Sequence, residues 1–168
     1  MHVIFSHGKE SGPWGSKIKT LAAIATKRGH TVDSIDYTGI DNADERVKKL
    51  NAVLKDVSSP VILVGSSMGG YVSLVASESY QCKGVFLMAP ALYITGYLQQ
   101  TYSPMPCSIC VVHGLNDEVI PYKHSTRFAS NTECKLHLIE GDHRLNTSLT
   151  KVCDIFENFL TNIESNIS

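Results

Sequence analysis

A serine within a glycine-rich turn is the first residue in this sequence whose surroundings suggest chemistry. Residues 65–69 read Gly-Ser-Ser-Met-Gly and match the pattern G-x-S-x-G, with Ser67 at the centre. The apolar run 61–64 precedes the turn, and a mostly apolar stretch follows it from Met68. In a strand–turn–helix unit this pattern forms a nucleophile elbow, in which glycines permit a tight turn that exposes the serine hydroxyl. A glycine-rich turn that only closes a strand–helix unit is the alternative.

An acid and a histidine in later loops can complete a set with Ser67. Asp117 follows the apolar run 109–113, and His143 follows the apolar-rich run 135–140. A serine hydroxyl is a weak nucleophile unless a base removes its proton, and that base needs an acid to orient it. We therefore predict that Ser67, His143 and Asp117 are the nucleophile, the base and the acid.

Neighbouring acids offer alternatives for these roles. Glu118 adjoins Asp117 and could be the acid in its place, although the loop pattern favours Asp117. Asp142 adjoins His143, but a residue next to the base tends to point away from it, so we predict a turn residue there.

Two further histidines precede glycines at the ends of predicted strands. His7 ends the first predicted strand, and His113 ends the fifth. Histidines in such positions more often make structural hydrogen bonds than act as bases, and we predict that role for both.

The elements around these residues alternate between strands and helices along the whole chain. Apolar runs predict strands at 3–6, 31–37, 61–64, 84–89, 109–113 and 135–140. Apolar residues at helical spacing predict a helix opened by Gly12-Pro13, a second capped by Asp41, a third after the elbow and a last one from residue 149. This alternation indicates a parallel sheet covered on both faces, a three-layer α/β/α sandwich. Sites in such sheets collect at the carboxyl ends of the strands, where the three candidate residues lie.

Length and composition indicate one globular domain over residues 1–168. The chain is 43% hydrophobic and 18% charged, so it can bury a core without disulfide bonds. Its formal net charge of −1 supports neither nucleic acid nor an anionic membrane surface as a partner. No stretch approaches the roughly 18 consecutive apolar residues of a membrane span.

The N-terminus and the cysteines favour a cytoplasmic protein. The chain enters a predicted strand at once, with no basic leader and no cleavage site. The five cysteines are odd in number and widely spread, unlike a disulfide framework. Cys107 and Cys110 match C-x-x-C but open an apolar run, so we predict buried strand thiols rather than a redox pair. No second cysteine pair and no H-x-x-x-H pattern is present, and we predict no metal and no cofactor.

Four motifs in chain order make the sequence resemble the α/β-hydrolase superfamily along nearly its whole length. They are HGK at 7–9, GSSMG at 65–69, HGLNDEVIP at 113–121 and GDHRL at 141–145. The resemblance implies that Ser67 is the nucleophile, Asp117 the acid and His143 the base. It also implies an oxyanion hole formed by the backbone N–H groups of Met68 and Lys9.

The sequence departs from the full fold of that superfamily in two respects. The superfamily core has eight strands, with an antiparallel pair ahead of the His-Gly strand at which this sequence starts. We therefore expect a minimal α/β-hydrolase fold with six strands, all parallel. The segment 90–108, where the superfamily usually carries its lid, has room for one short helix but for no lid domain. The site is expected to be open and shallow, and the chain most resembles small lidless carboxylesterases and thioesterases.

Apolar and aromatic residues in nearby segments are candidates for a substrate pocket. Trp14, Tyr93, Tyr97 and Met105 lie where the predicted topology places the rim of the site. They are predicted to contact the acyl or the alcohol part of a substrate. Packing over the sheet edge is the alternative role for all four.

Two functions from different classes fit these observations. One is a serine hydrolase that cleaves small-molecule carboxylic esters or thioesters through an acyl-enzyme. The other is a non-catalytic binding protein or scaffold on the same fold, since a fold does not fix a function. The complete serine–histidine–acid set favours the hydrolase, whereas the missing lid domain favours the scaffold. Nothing marks a dimer interface, although the strand near Thr31 and the last strand are candidate edges.

Overall fold

A computed structural model describes residues 1–167, which form six strands and five helices in alternating order. The strands are β1 (His2–Ser6), β2 (Thr31–Ile35), β3 (Val61–Ser66), β4 (Gly84–Met88), β5 (Ser108–Gly114) and β6 (Lys135–Ile139). The helices are α1 (Ser16–Lys27), α2 (Ala43–Leu54), α3 (Met68–Ala76), α4 (Tyr122–Asn131) and α5 (Leu149–Ser165). None of these helices is long and apolar enough to cross a membrane. Ser168 lies outside the described residues, and a single domain over 1–168 stays a prediction.

All six strands form one parallel sheet in the order β2-β1-β3-β4-β5-β6. Helices α1 and α5 cover one face, where Val3 and Phe5 point, while α2 and α3 cover the other, where Ile4 points. Because successive side chains of a strand point to opposite faces, a strand between two helix layers must be apolar on both. The unbroken apolar run 61–64 is fully buried for this reason. The predicted three-layer sandwich with six parallel strands is confirmed.

The first helix begins later than predicted. The carbonyl of Pro13 accepts a hydrogen bond from the Ser34 hydroxyl on β2, so Gly12-Pro13 belongs to a turn and does not open the helix. The Gly15 carbonyl accepts the first helical hydrogen bond, and α1 starts at Ser16.

The second helix is capped by Asn42 and not by Asp41. The Asn42 Oδ1 atom accepts hydrogen bonds from the N–H groups of Asp44 and Glu45, at 2.9 and 3.0 Å. Both residues are good N-caps, so the sequence predicts a cap here but does not choose between adjacent candidates.

Helix α4 was not predicted from the sequence. It lies against β5 and β6 at one end of the sheet and buries only Ser125 and Phe128. Its ten residues include few large apolar side chains, so the apolar spacing that identifies the other helices is not evident in its sequence.

The 89–107 segment, which stands where a lid domain would be, contains neither helix nor strand. The short helix for which the sequence leaves room is therefore not formed. Two carboxylates hold the segment instead: Asp44 accepts a hydrogen bond from the N–H of Leu98 at 3.1 Å, and Glu78 accepts one from the N–H of Ser103 at 2.7 Å. These bonds satisfy backbone donors that regular structure would otherwise pair.

A charged cluster joins α1 and α5 near the amino-terminal ends of the strands. The Arg28 guanidinium donates to both carboxylate oxygens of Glu164, at 2.6 and 3.1 Å. His30, directly before β2, contacts the same carboxylate at 2.8 Å. The pKa of Glu164 lies below its usual value, mainly because of the hydrogen bond from Arg28. The carboxylate therefore stays ionised at neutral pH.

The five cysteines are all free thiols. Cys110 is buried on β5, as predicted for a strand thiol. Cys107 lies just before that strand, and its Sγ contacts the Sγ of Cys82 at 3.9 Å.

Candidate active site

Ser67 lies in the turn between β3 and α3 with a strained backbone. Its φ of 54° and ψ of −119° fall in the positive-φ region that residues with a side chain rarely adopt. The surrounding backbone holds this conformation, because the Ser67 N–H donates to the carbonyl of Met88 at 3.0 Å and the Ser67 carbonyl accepts from Gly70 and Ala91, both at 2.9 Å. The residue is therefore fixed at the carboxyl end of the sheet and at the N-terminus of α3.

The glycines around Ser67 leave no room for side chains. A Cβ atom on Gly65 would lie 2.1 Å from the carbonyl oxygen of Gly69. A Cβ atom on Gly69 would lie 1.9 Å from the carbonyl oxygen of Ser6 on β1. The prediction that this turn excludes Cβ atoms is confirmed.

Gly69→Ala is expected to destabilise the fold by about 4 kcal/mol or more, since the new methyl group would overlap backbone atoms that cannot move independently of the sheet. Gly12→Ala is the matched control, because a Cβ atom there meets nothing within 4 Å. Urea unfolding of both variants and the wild type measures the difference. A Gly69→Ala protein within about 1 kcal/mol of the wild type would contradict the tight packing of the elbow.

The structure brings Ser67, His143 and Asp117 together from three separate loops. The Ser67 Oγ lies 3.0 Å from Nε2 of His143, and Nδ1 of His143 lies 2.7 Å from Oδ2 of Asp117. A carboxylate oxygen can only accept, so Nδ1 of His143 carries the proton and Nε2 is free to accept the serine proton. The side chain of Asp117 is fully buried, whereas that of His143 is 19% exposed. The arrangement can transfer a proton from the serine hydroxyl to the imidazole.

Four donors surround the Asp117 carboxylate. Its Oδ1 accepts from the N–H groups of Val119 and Ile120, both at 2.8 Å. Its Oδ2 accepts from His143 and also from Nε2 of His113, at 3.0 Å. Burial raises the pKa of Asp117, but the hydrogen bonds from His143 and the two backbone N–H groups outweigh burial, and the pKa lies below its usual value. The group is therefore an anion at neutral pH and fixes the imidazole of His143.

His113 makes only structural hydrogen bonds, as predicted. Its Nε2–H group donates to Asp117 and to the carbonyl of Ile120 at 2.9 Å, so Nδ1 accepts from the Ser125 hydroxyl at 2.7 Å. Burial lowers the pKa of His113 and favours the neutral ring that this arrangement requires. Ser125 comes from the unpredicted helix α4, which thereby supports the acid loop.

Neither of the two alternative acids forms a hydrogen bond with His143 within residues 1–167. Glu118 is exposed at the cleft, whereas the adjacent Asp117 contacts His143. Asp142 Oδ1 accepts hydrogen bonds from the N–H groups of Arg144 and Leu145, at 3.1 and 3.0 Å, and is the turn residue that the sequence predicts.

The residues predicted to form the oxyanion hole both line the cleft beside Ser67. Met68 is the first residue of α3, where N–H groups have no acceptor within the helix. Lys9 follows Gly8, and a Cβ atom added to Gly8 would lie 3.5 Å from the Cβ of Ser67, so this loop passes close to the serine. Within residues 1–167, neither the Met68 nor the Lys9 N–H has a hydrogen-bond acceptor. Both N–H groups are thus available to a ligand in the cleft.

Arg46 is a residue near the site that the sequence did not reveal. Its side chain is buried, and burial lowers its pKa from the usual value. Its guanidinium donates to the carbonyl of Ile40 at 2.6 Å and to three successive carbonyls, those of His7 and Gly8 at 3.1 Å and that of Lys9 at 3.4 Å. The loop that carries one predicted oxyanion donor is therefore bound to a buried cation.

The cleft at Ser67 has a volume of about 1080 Å³. This volume lies at the upper end of the range for small-molecule sites, so the cleft has room for a substrate although no lid domain covers it. The residues that line it are mixed in character. The apolar ones include Met68, Ile94, Tyr97, Val119 and Ile120. The polar ones include Lys9, Glu10, Ser11, Lys17, Asn116, Asp142, Arg144 and Asn146. Within residues 1–167, no group of three His, Cys, Asp or Glu side chains could hold a metal ion.

Only one of the four candidate pocket residues, Tyr97, lines the cleft. Tyr93 packs instead toward α4, where the Arg127 guanidinium lies 3.9 Å from the centre of its ring. The N–H of Met105 donates to the carbonyl of Ser77 just beyond α3, which holds this residue away from the cleft.

Trp14 lies in the turn before α1 and is 42% exposed. Gly12 and Gly15 on either side of it line the cleft, but Trp14 does not. The predicted contact with substrate therefore has no support at Trp14.

Lys17 is a cleft residue that the sequence did not single out. Its Nζ atom donates to the carbonyl of Arg144 at 3.0 Å, which joins α1 to the loop that carries His143. Burial lowers the pKa of Lys17 to about 8, although Asp142 acts in the opposite direction. The lining of the cleft thus holds an amine whose pKa lies slightly above neutral pH.

Comparisons with known proteins agree with this architecture. Among solved structures, a protein of the alpha/beta hydrolase superfamily from Xanthomonas campestris pv. campestris superposes with a TM-score of 0.89 at 28% identity, and the match covers 96% of this chain and 98% of that one. Est1E from Butyrivibrio proteoclasticus superposes with a TM-score of 0.85, and the match covers 98% of this chain and 88% of Est1E. The two sequences are 19% identical, so this likeness shows a shared fold.

Sequence comparisons identify relatives and a family. The mouse protein named palmitoyl-protein thioesterase ABHD10, mitochondrial, is 24% identical over 204 residues, which covers 85% of this chain and 69% of the relative. The human protein of the same name is also 24% identical, with 85% and 67% covered. The family model described as phospholipase/carboxylesterase matches residues 2–160. This chain therefore belongs to the phospholipase/carboxylesterase family of α/β hydrolases.

Proposed function

We propose that this protein is a serine hydrolase that cleaves carboxylic ester or thioester bonds of small to medium substrates. The observation that carries the proposal is the continuous hydrogen-bonded chain from Asp117 through His143 to Ser67 at a strained elbow. Membership of the phospholipase/carboxylesterase family supports ester chemistry. The names of the mammalian relatives, which are palmitoyl-protein thioesterases, support thioesters as a second substrate class.

Acylation begins when Ser67 Oγ attacks the carbonyl carbon of the substrate and its proton passes to Nε2 of His143. The carbonyl π pair moves to oxygen, and the N–H groups of Met68 and Lys9 stabilise the resulting oxyanion. The charge of Asp117 stabilises the imidazolium without itself being protonated. Collapse of the tetrahedral intermediate breaks the bond to the leaving alcohol or thiol, which takes the proton from Nε2.

Deacylation repeats these steps with water. His143 removes a proton from water, the hydroxide attacks the acyl carbon, and the same two N–H groups stabilise the second oxyanion. The acid product leaves when the bond to Ser67 Oγ breaks and the serine regains its proton. No step requires a metal or a cofactor.

The mixed lining of the cleft supports an amphipathic substrate. We assign the acyl chain to the apolar residues Ile94, Tyr97 and Val119, and the alcohol or thiol part to the polar residues near Lys17. This assignment follows from matching apolar surface to apolar surface and polar groups to hydrogen-bonding partners. The cytoplasmic location stays a prediction from the sequence, while the mammalian relatives are named as mitochondrial proteins.

A fluorophosphonate probe tests the proposal on the wild-type protein. An activated serine displaces fluoride from phosphorus, so we expect one adduct per chain, which peptide mapping by mass spectrometry places on Ser67. Heat-denatured protein is the control and should not react, because the unfolded serine has no base beside it. A folded protein that forms no adduct and hydrolyses no ester in a chain-length series would support the binding scaffold instead.

A further inference from the structure

The Gly8–Lys9 peptide is held in one orientation by a buried cation. The carbonyl of Gly8 accepts hydrogen bonds from Nη1 of Arg46 at 3.1 Å and from Nδ1 of His7 at 2.7 Å. A trans peptide unit is planar, and its C=O and N–H bonds point in opposite directions. No peptide bond within residues 1–167 is cis, so the Lys9 N–H points away from Arg46. Gly8 and Lys9 both line the cleft, and a Cβ atom on Gly8 would lie 3.5 Å from the Cβ of Ser67, so the cleft is the space open to this N–H.

Arg46 pairs with backbone carbonyls and with no carboxylate. Among residues 1–167, no Asp or Glu forms an ion pair with it, and the side chain is only 1% exposed. Removing a charged group from water is costly unless hydrogen bonds compensate. The compensating acceptors are the carbonyls of Ile40 and of residues 7–9, so the cation and the 7–9 loop order one another.

His7 completes the arrangement from the other side. Its Nε2 accepts a hydrogen bond from the N–H of Tyr37 at 2.9 Å, so Nδ1 carries the proton that it donates to Gly8. The Tyr37 ring in turn lies 5.2 Å from the Arg46 guanidinium carbon. The loop is thus fixed by β1, by the segment after β2 and by α2 at once.

We propose that Arg46 is a positioning residue that fixes the Gly8–Lys9 peptide as an oxyanion donor for the reaction at Ser67. Two effects follow from the geometry. The guanidinium sets the direction of the Lys9 N–H, and its charge polarises the peptide so that the N–H becomes a stronger donor. The inference rests on the proposed serine hydrolase function and adds to it a residue that does not itself touch the substrate.

Arg46→Gln and Arg46→Lys test this role, with Lys48→Gln as the matched control. Lys48 lies on the same helix, and its side chain is 73% exposed. Within residues 1–167 it forms an ion pair with Glu45 alone, so the control removes one positive charge without touching the loop. Arg46→Gln is expected to lower kcat about 10- to 100-fold while KM changes less than about threefold. Arg46→Lys should lose less, because one ammonium group retains the charge but reaches fewer carbonyls. Lys48→Gln should match the wild type.

Inhibitor binding separates positioning from a general loss of structure. A trifluoromethyl ketone adds to Ser67 Oγ, its carbonyl π pair becomes an oxyanion, and the serine proton passes to His143. Its inhibition constant should rise by the same factor by which kcat/KM falls in each Arg46 variant. The corresponding secondary alcohol forms no oxyanion and should bind all variants equally. Circular dichroism establishes that each variant is folded.

The outcomes are distinct. Folded Arg46 variants with wild-type kcat, or variants in which ketone and alcohol binding weaken together, would overturn the inference. So would failure of both Arg46 variants to fold, because Arg46 would then serve the fold as a whole. A wild-type protein that neither hydrolyses esters nor binds the ketone would instead reject the proposed function.

Discussion

Ser67→Ala is expected to lower kcat for ester hydrolysis about 10⁶-fold while KM stays within a few-fold of the wild-type value. The variant lacks the atom that forms the acyl bond, whereas the cleft that binds the substrate is unchanged. The N–H groups of Met68 and Lys9 remain, so hydrolysis should still exceed the uncatalysed rate by about 10³-fold. Steady-state kinetics with an activated aryl ester measures the loss, and preparations free of contaminating esterase are essential at this magnitude.

Ser66→Ala is the matched control, since it makes the same change one residue earlier in the motif. Ser66 ends β3 and also lines the cleft, but its side chain takes no part in the hydrogen-bonded chain from Asp117 through His143 to Ser67. It should retain kcat within about threefold of the wild type. Equal activities of Ser67→Ala and Ser66→Ala would show that Ser67 is not the nucleophile.

Asp117→Asn is expected to lower kcat about 10⁴-fold through the wrong tautomer of His143. An amide has one acceptor and one donor group, whereas four donors converge on this carboxylate. If the amide NH₂ faces the histidines, it opposes His113 and forces His143 to carry its proton on Nε2, where it cannot accept from serine. If it faces the other way, it opposes the N–H groups of Val119 and Ile120.

Either orientation leaves buried donors unpaired, so Asp117→Asn should also lower the free energy of unfolding by about 1–3 kcal/mol. Glu118→Gln is the matched control: it makes the same chemical change at the adjacent, exposed position and should leave both kcat and stability unchanged. Kinetics and urea unfolding of the two variants decide between the two acids. A large loss of kcat in Glu118→Gln alone would make Glu118 the acid.

The parallel sheet could be predicted from the sequence because apolar runs mark its strands clearly. The proximity of Ser67, His143 and Asp117 could be predicted because each of them follows one of those strands. Apolar runs such as 61–64 mark strands buried on both faces, and parallel strands bring their carboxyl ends to one edge. The structure places Ser67, His143 and Asp117 within hydrogen-bonding distance at that edge. Their catalytic roles stay predictions until the variants are measured.

The features that were not predicted depend on backbone contacts that leave weaker signals. Arg46 binds carbonyl groups of residues 7–9, and any residue type supplies a carbonyl. One signal was available, since Arg46 falls between Ala43 and Leu50 on the buried stripe of α2, where a charged side chain needs partners. Aromatic residue type was likewise insufficient to predict the pocket, because the path of the 89–107 segment decides which rings reach the cleft.

The charged cluster of Arg28, His30 and Glu164 bears on how such a protein can change over evolutionary time. It holds the helices together where the strands begin, at the end of the sheet opposite Ser67. Substitutions at well-separated sites act nearly independently. Changes in cleft loops far from this cluster, such as 94–99 and 144–146, are therefore expected to alter substrate preference without weakening the contacts of Arg28, His30 and Glu164. A library directed at these loops would explore new substrates while this part of the fold stays intact.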